Sequence, residues 1–253
     1  MPPRPSPTHF LCIQLVNAAS RHQLSANLAS FTADVTSPDS FGIPEQAIRP
    51  VGTLHLTVGM MSFPKNEGLD KAVALLKTLN PRQIVRSVLP PSTTDAKPTP
   101  DHQVTETKEL SGPPSPLLSV TLKGLHSMQS PSKASILYAP PVDEEDTLMR
   151  FCEKLRSAFL EAELMTEENR LLLLHATVVN TIYVKGRSSR GGGKGRSREK
   201  LTIDARGILE RYDEFVWMQD VPIEKIAICK MGAKKRDDGD EAYEVEAEID
   251  MTG

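Results

Sequence analysis

Two short stretches constrain this chain more than anything else in its 253 residues. Thr53 to Met61 reads TLHLTVGMM and Leu171 to Thr181 reads LLLLHATVVNT. His-x-Thr therefore occurs twice, as His55-Leu56-Thr57 and His175-Ala176-Thr177, each time inside an apolar, partly β-branched run of strand length. Side chains alternate between the two faces of a strand, so a histidine and a threonine two positions apart look the same way. Two such strands facing each other across a cleft would bring two imidazoles and two hydroxyls into one small volume.

That set of groups suits phosphate chemistry. Cleaving a phosphoester needs a base for the attacking water or ribose hydroxyl and an acid for the leaving oxygen. An imidazole with a pKa of about 6.5 serves as either near neutral pH. Threonine hydroxyls can donate to the non-bridging oxygens, where charge builds up in the transition state. The scheme calls for no metal and no cofactor. A single His-x-Thr is more often an ordinary half-buried pair than a site; two copies in separate halves of the chain are hard to explain that way.

Composition sets the limits on partners. With 39% hydrophobic and 25% charged residues the chain has the makings of a globular protein with a real core. Its net charge of -3 gives no global attraction for nucleic acid, so an RNA partner must be met by a local patch. Cys12, Cys152 and Cys229 are odd in number and set in apolar or helical contexts. They read as reduced core thiols rather than a disulfide framework or a zinc site. The start, MPPRPSPTHF, lacks the features of a signal peptide, and no run is long enough to cross a membrane, so cytoplasm or nucleus is expected.

Along the chain, residues 1–9 read as a flexible start and 10–253 as one bilobal domain. Phe10 to Val16 is expected as a strand, Ser20 to Val35 as a helix with Leu24, Leu28 and Phe31 on one face, and Gly68 to Leu79 as a second helix ending before Pro81. Gln83 to Leu89 reads as a strand leading into a mobile Pro/Ser/Thr-rich insertion at 90–116, whose His102 is a solvated loop residue. Leu117 to Leu122 and Ala134 to Ala139 read as strands, joined by a connection whose His126 is expected to lie off the cleft. Asp143 to Leu164 reads as a helix, with four acids in its first turn and Leu148, Phe151, Cys152, Leu155, Phe159 and Ala162 facing the core. After the second His-x-Thr strand a flexible loop at 185–200 carries Lys185, Arg187, Arg190, Lys194, Arg196, Arg198 and Lys200. It reads either as a solvated surface loop or as a tether for RNA phosphates, with nuclear import a further use of the same charges. Ile203 to Tyr212 is expected as a helix, and Glu214 to Met218, Ile223 to Lys230 and Glu241 to Ile249 as strands, the last after a charged turn. Irregular alternation of helices and strands argues for an α+β protein with antiparallel sheets.

TLHLTV and LLHATVVN resemble the two signatures of the 2H phosphoesterases, the superfamily that includes the LigT-type RNA 2',3'-cyclic phosphodiesterases. FLCIQL at 10–15, LHATVVNT at 174–181, IDARGILERYDEF at 203–215 and IAICKMG at 226–232 are closer to one branch. That branch holds the central domain of A-kinase anchoring protein seven and the carboxy-terminal phosphoesterase-like domain of activating signal cointegrator complex subunit one. The resemblance covers nearly the whole chain and is weakest between 82 and 116. It implies a LigT-like fold of two antiparallel sheets related by approximate two-fold symmetry about a central cleft, with His55 and Thr57 on one wall and His175 and Thr177 on the other. It further implies a metal-independent phosphodiesterase acting on RNA ends or nucleotides, on 2',3'-cyclic phosphates or 2',5' linkages. His175 is then expected as the base and His55 as the acid. The alternative is a nucleotide- or RNA-binding module without turnover, as a subunit of a larger complex; otherwise a monomer is expected. Kinase anchoring is not expected, because EVEAEIDMTG at the end reads as strand and tail rather than an amphipathic helix.

Overall fold

The computed structural model describes residues 6–89, 118–165, 171–184 and 201–251. The insertion at 90–116, with His102, and the basic loop at 185–200 lie outside the described residues. In chain order the elements are β1 (His9–Gln14), α1 (Arg21–Thr36), β2 (His55–Met61), α2 (Leu69–Thr78), α3 (Pro81–Val88), β3 (Ser119–Lys123), β4 (His126–Ser127), β5 (Ile136–Ala139), β6 (Pro141–Val142), α4 (Thr147–Glu161), β7 (Ala176–Asn180), α5 (Arg206–Arg211), β8 (Val216–Pro222), β9 (Lys225–Lys230), β10 (Lys234–Lys235), β11 (Glu241–Ala242) and β12 (Val245–Asp250).

The expected α+β architecture with antiparallel sheets is present. One sheet has the order β12-β9-β1-β2, every pair antiparallel. The other is bent. Its two halves, β6-β3-β8 and β4-β5-β7, are joined because β3 runs into β4 through Gly124 and β5 into β6 through Pro140. At Gly124 φ is 79°, and a Cβ there would lie 2.7 Å from the Asp213 carbonyl, so glycine is what lets the strand turn. Trp217 on β8 pins the bend from inside, its indole N–H donating to the Gly124 carbonyl at 2.8 Å. Each sheet thus ends on a His-x-Thr strand, β2 in one and β7 in the other.

Burial decides which face of the first sheet turns inward. Leu11, Ile13, Leu56, Val58, Ile226 and Ile228 are fully buried in the main core, which α1 enters through Leu24, Leu28, Phe31 and Val35. Each such side chain contributes about 1.5–3 kcal/mol when removed from water. A one-residue slip of β2 would expose this row, so the packing holds His55 and Thr57 on the opposite face. That opposite face carries a small separate cluster of Phe10, Cys12, Ala227 and Cys229, with Met60 and Tyr243 packed against it. The register of β1 and β2 shifts between Leu11 and Cys12, so that Cys12 stands opposite Thr57 and Leu11 opposite Gly59, with Val58 left over as a bulge. All three cysteines are free and buried, as expected of core thiols, although Cys12 and Cys229 are neighbours, Sγ to Sγ 3.8 Å across β1 and β9.

Several expectations are corrected. The segment read as a strand from Gln83 is the helix α3. Pro81 opens it, the Asn80 side chain caps it by accepting from the Gln83 N–H at 3.0 Å, and Pro81, Val85 and Val88 form its buried stripe. The four acids from Asp143 precede α4 instead of filling its first turn, because Asp146 is left-handed at φ 53° and the helix starts at Thr147. The carboxylate of Asp143 still caps it, accepting from the N–H groups of Leu148 at 3.1 Å and Met149 at 2.7 Å. Ala162 lies beyond the end of α4 and is exposed, while the rest of the predicted stripe is buried. The expected last strand is two, β11 pairing with β10 and β12 with β9. Pairing also begins earlier than residue 10: His9 belongs to β1, and the Thr8 N–H donates to the Met61 carbonyl at 2.9 Å.

Candidate functional site

The alternation predicted for the two motifs is present in both. His55 and Thr57 are half-buried between the fully buried Leu56 and Val58; His175 and Thr177 are half-buried around the buried Ala176 and Val178. β2 and β7 pack beside each other although they belong to different sheets. The join is made by the segment just before the first motif. Ile48 forms a bridge with Val179, and the Arg49 N–H donates to the Val178 carbonyl at 2.8 Å. The chain then runs through the 3-10 turn Val51–Thr53 into His55.

The two imidazoles are held in the same manner. Nδ1 of His55 lies 2.8 Å from the Thr53 carbonyl, and Nδ1 of His175 lies 2.8 Å from the Leu173 carbonyl, each two residues upstream. A carbonyl oxygen only accepts, so Nδ1 carries the hydrogen in both rings and Nε2 is the basic nitrogen of the neutral form. The hydroxyls of Thr57 and Thr177 enter no hydrogen bond among the described residues.

Their surroundings differ. The His55 ring sits between Phe10, 4.7 Å away, and the edge of Tyr243, 5.2 Å away. Burial lowers its pKa to about 4; the positive fields of His175 and Arg49 push the same way, against the opposing bond to Thr53. His55 is therefore neutral at pH 7. His175 meets Tyr138 edge-on at 5.4 Å, and Tyr138 in turn meets His126 at 5.7 Å, so His126 is one ring removed from His175.

Two cavities flank these residues. One of about 440 Å³ is lined by His55, Thr53, Phe10 and Tyr243 together with Lys234, Lys235 and Arg236 of the β10–β11 hairpin. The other, of about 210 Å³, is lined by Thr57, His175, Met128, Arg156 and Leu171 to Leu173. His55 lines the first cavity, Thr57 and His175 line the second, and Thr177 lines neither. The predicted basic residues Lys185, Arg187, Arg190, Lys194, Arg196 and Arg198 lie outside the described residues. Sequence reasoning missed Phe10, Arg49, Tyr183 and Tyr243. Arg49 packs its guanidinium over the Tyr183 ring at 3.9 Å, and Tyr243 interacts with both. Only their aromatic and cationic character, in a chain with 5% aromatics, could have drawn attention to them.

The family model described as the AKAP7 2'5' RNA ligase-like domain matches residues 7–251. The chain belongs to that family. It is 31% identical over 117 residues to the uncharacterized protein C15D4.13c of Schizosaccharomyces pombe, a stretch that is 46% of this chain and half the length of that relative. Among solved structures it is similar to Escherichia coli LigT complexed with 3'-AMP, at 14% identity and a TM-score of 0.48, covering 98% of this chain and 99% of LigT. It is similar as well to TT0787 of Thermus thermophilus, at 13% identity and a TM-score of 0.47, covering 97% and 98% of the two chains. A further likeness is to a protein described as a phosphoesterase, at 15% identity and a TM-score of 0.46, covering 98% of this chain and all of that one.

Proposed function

We propose that the chain is a phosphodiesterase of RNA ends or nucleotides, working by acid and base catalysis between His55 and His175. The observation that carries this reading is the pair of imidazoles, each with Nδ1 tied to a carbonyl two residues upstream so that Nε2 is the basic nitrogen of the neutral ring, in unlike environments. A neutral His55 is ready to take a proton, which assigns the donor's part to His175. We propose these roles in place of the opposite assignment expected from the sequence; burial of His55, with the positive fields of His175 and Arg49, supports them. On a 2',3'-cyclic phosphate, His55 Nε2 accepts the proton of a water attacking phosphorus while His175 Nε2–H protonates the departing ribose oxygen. On a 2',5' linkage the adjoining ribose hydroxyl replaces water and the 5' oxygen leaves. Thr57 and Thr177 supply hydroxyl donors to the non-bridging oxygens. The family's 2'5' RNA ligase-like description supports a substrate of this class.

Turnover in excess EDTA of a cyclic-phosphate-ended RNA and a 2',5'-linked oligoadenylate tests the reading. Cleavage of one of them is expected. Saturable nucleotide binding with no product from either would replace the enzyme by a binding module. The basic residues from Lys185 to Arg198 are proposed to hold the RNA backbone beyond the scissile phosphate. Neutralising them should weaken RNA binding in a salt-dependent way, by far more than it weakens binding of a mononucleotide; equal losses for both ligands would remove that role.

A further inference from the structure

Arg49 is a cation that the reaction scheme above does not use. It is 5% exposed, and a guanidinium keeps its charge in any folded protein. A charge taken out of water is costly unless a counter-charge and hydrogen bonds compensate it. The arginines paired with carboxylates among the described residues are Arg21, Arg206 and Arg211. Arg49 is not one of them, and its Nη2 is buried with no hydrogen-bond partner.

What fixes Arg49 is not an anion of the protein. Its backbone is tied to β7 through the Val178 carbonyl, and its guanidinium stacks on Tyr183, which ends the turn that follows β7. Tyr243 contacts the Arg49 and Tyr183 side chains and is itself edge-on to His55. A planar fork with an unused N–H is thus braced against the turn after β7 and against Tyr243, with its charge acting on His55, and it is in no ion pair with a carboxylate among the described residues.

We propose that Arg49 is an anion site of the cleft, whose guanidinium grips the non-bridging oxygens of a bound nucleoside phosphate ester. Such an oxyanion supplies both the missing acceptor for Nη2 and the missing counter-charge, in the two-pronged geometry that arginine forms with phosphate. The same contact strengthens as charge gathers on those oxygens during cleavage. This assignment rests on the reading of the cleft as one that takes phosphate esters.

Calorimetric titration of the full chain with AMP and with inorganic phosphate tests it, alongside the turnover assay, for wild type, Arg49→Ala and Arg49→Lys. Arg49→Ala should weaken AMP binding by at least about tenfold, and Arg49→Lys, which keeps the charge but loses the fork, by at least about threefold. Guanidinium at tens of millimolar should restore part of the binding and turnover of Arg49→Ala, whereas sodium at equal ionic strength should not; a merely structural arginine gives no such rescue. AMP binding within about twofold of wild type in Arg49→Ala, or in Arg49→Lys should the alanine variant not fold, overturns the site, as does a wild type that binds neither ligand. Arg49-dependent AMP binding without turnover keeps the site and removes the phosphodiesterase. Turnover with Arg49-independent binding removes the site alone.

Discussion

His55→Ala and His175→Ala should each lower kcat for metal-free phosphodiester cleavage by about 10²- to 10⁴-fold, with the fold intact. Each change removes a proton-transfer partner from a half-buried position and takes little volume from the main core, to which neither ring belongs. The double variant should be little worse than the poorer single one, because a base without its acid is as idle as the reverse. Steady-state kinetics of the three variants, with urea unfolding as a control, decide the matter. A single variant that keeps near-normal kcat would exclude the two-histidine mechanism.

The second large effect is on stability. His55 has a folded pKa of about 4, below the 6.5 of an unconstrained imidazole. As pH falls the unfolded chain therefore takes up this proton first. Stability from this group is fully present above pH 6.5, and is lost as pH falls from there toward 4. The linkage amounts to at most about 3 kcal/mol, less where solvent reaches the half-buried ring. Urea midpoints at pH 7, 5.5 and 4 should therefore drop more steeply for the wild type than for His55→Gln, which has nothing to protonate at this position. Parallel losses in the two proteins would show that His55 is not held neutral by the fold. Carboxylates titrate in the lower part of the same window, and comparison with the variant cancels them.

The alternating faces of the two motifs are legible in the sequence because their logic is local. A period of two around His55 and His175 needs only a strand and a core, and both are present. α1 was equally legible, its Leu24, Leu28 and Phe31 stripe being buried as expected. The stretch from Gln83 was misread because Ile84, Val85 and Val88 are β-branched or strand-favouring; what prevails is the start signal of Asn80 and Pro81 with burial at Val85 and Val88. The acids before α4 were misplaced by four residues because the left-handed turn at Asp146 is a backbone choice that charge does not announce. Arg49, Tyr183 and Tyr243 come from three distant segments and meet only through tertiary packing. Nothing in their local spacing could say so.

The bulge at Val58 divides β2 into two reading frames. Up to Thr57 the odd positions look into the cleft; beyond it Met60 faces the cleft-side cluster and Met61 the main core, so the parity has changed within seven residues. Gly59, just past the extra residue, is where a Cβ would strike the Met165 sulfur at 2.0 Å, and it marks the changeover with the one side chain that presents nothing to either side. Evolution can thus vary the motif end of this strand and its far end under separate rules, but it cannot add or remove a residue between them without turning one end inside out.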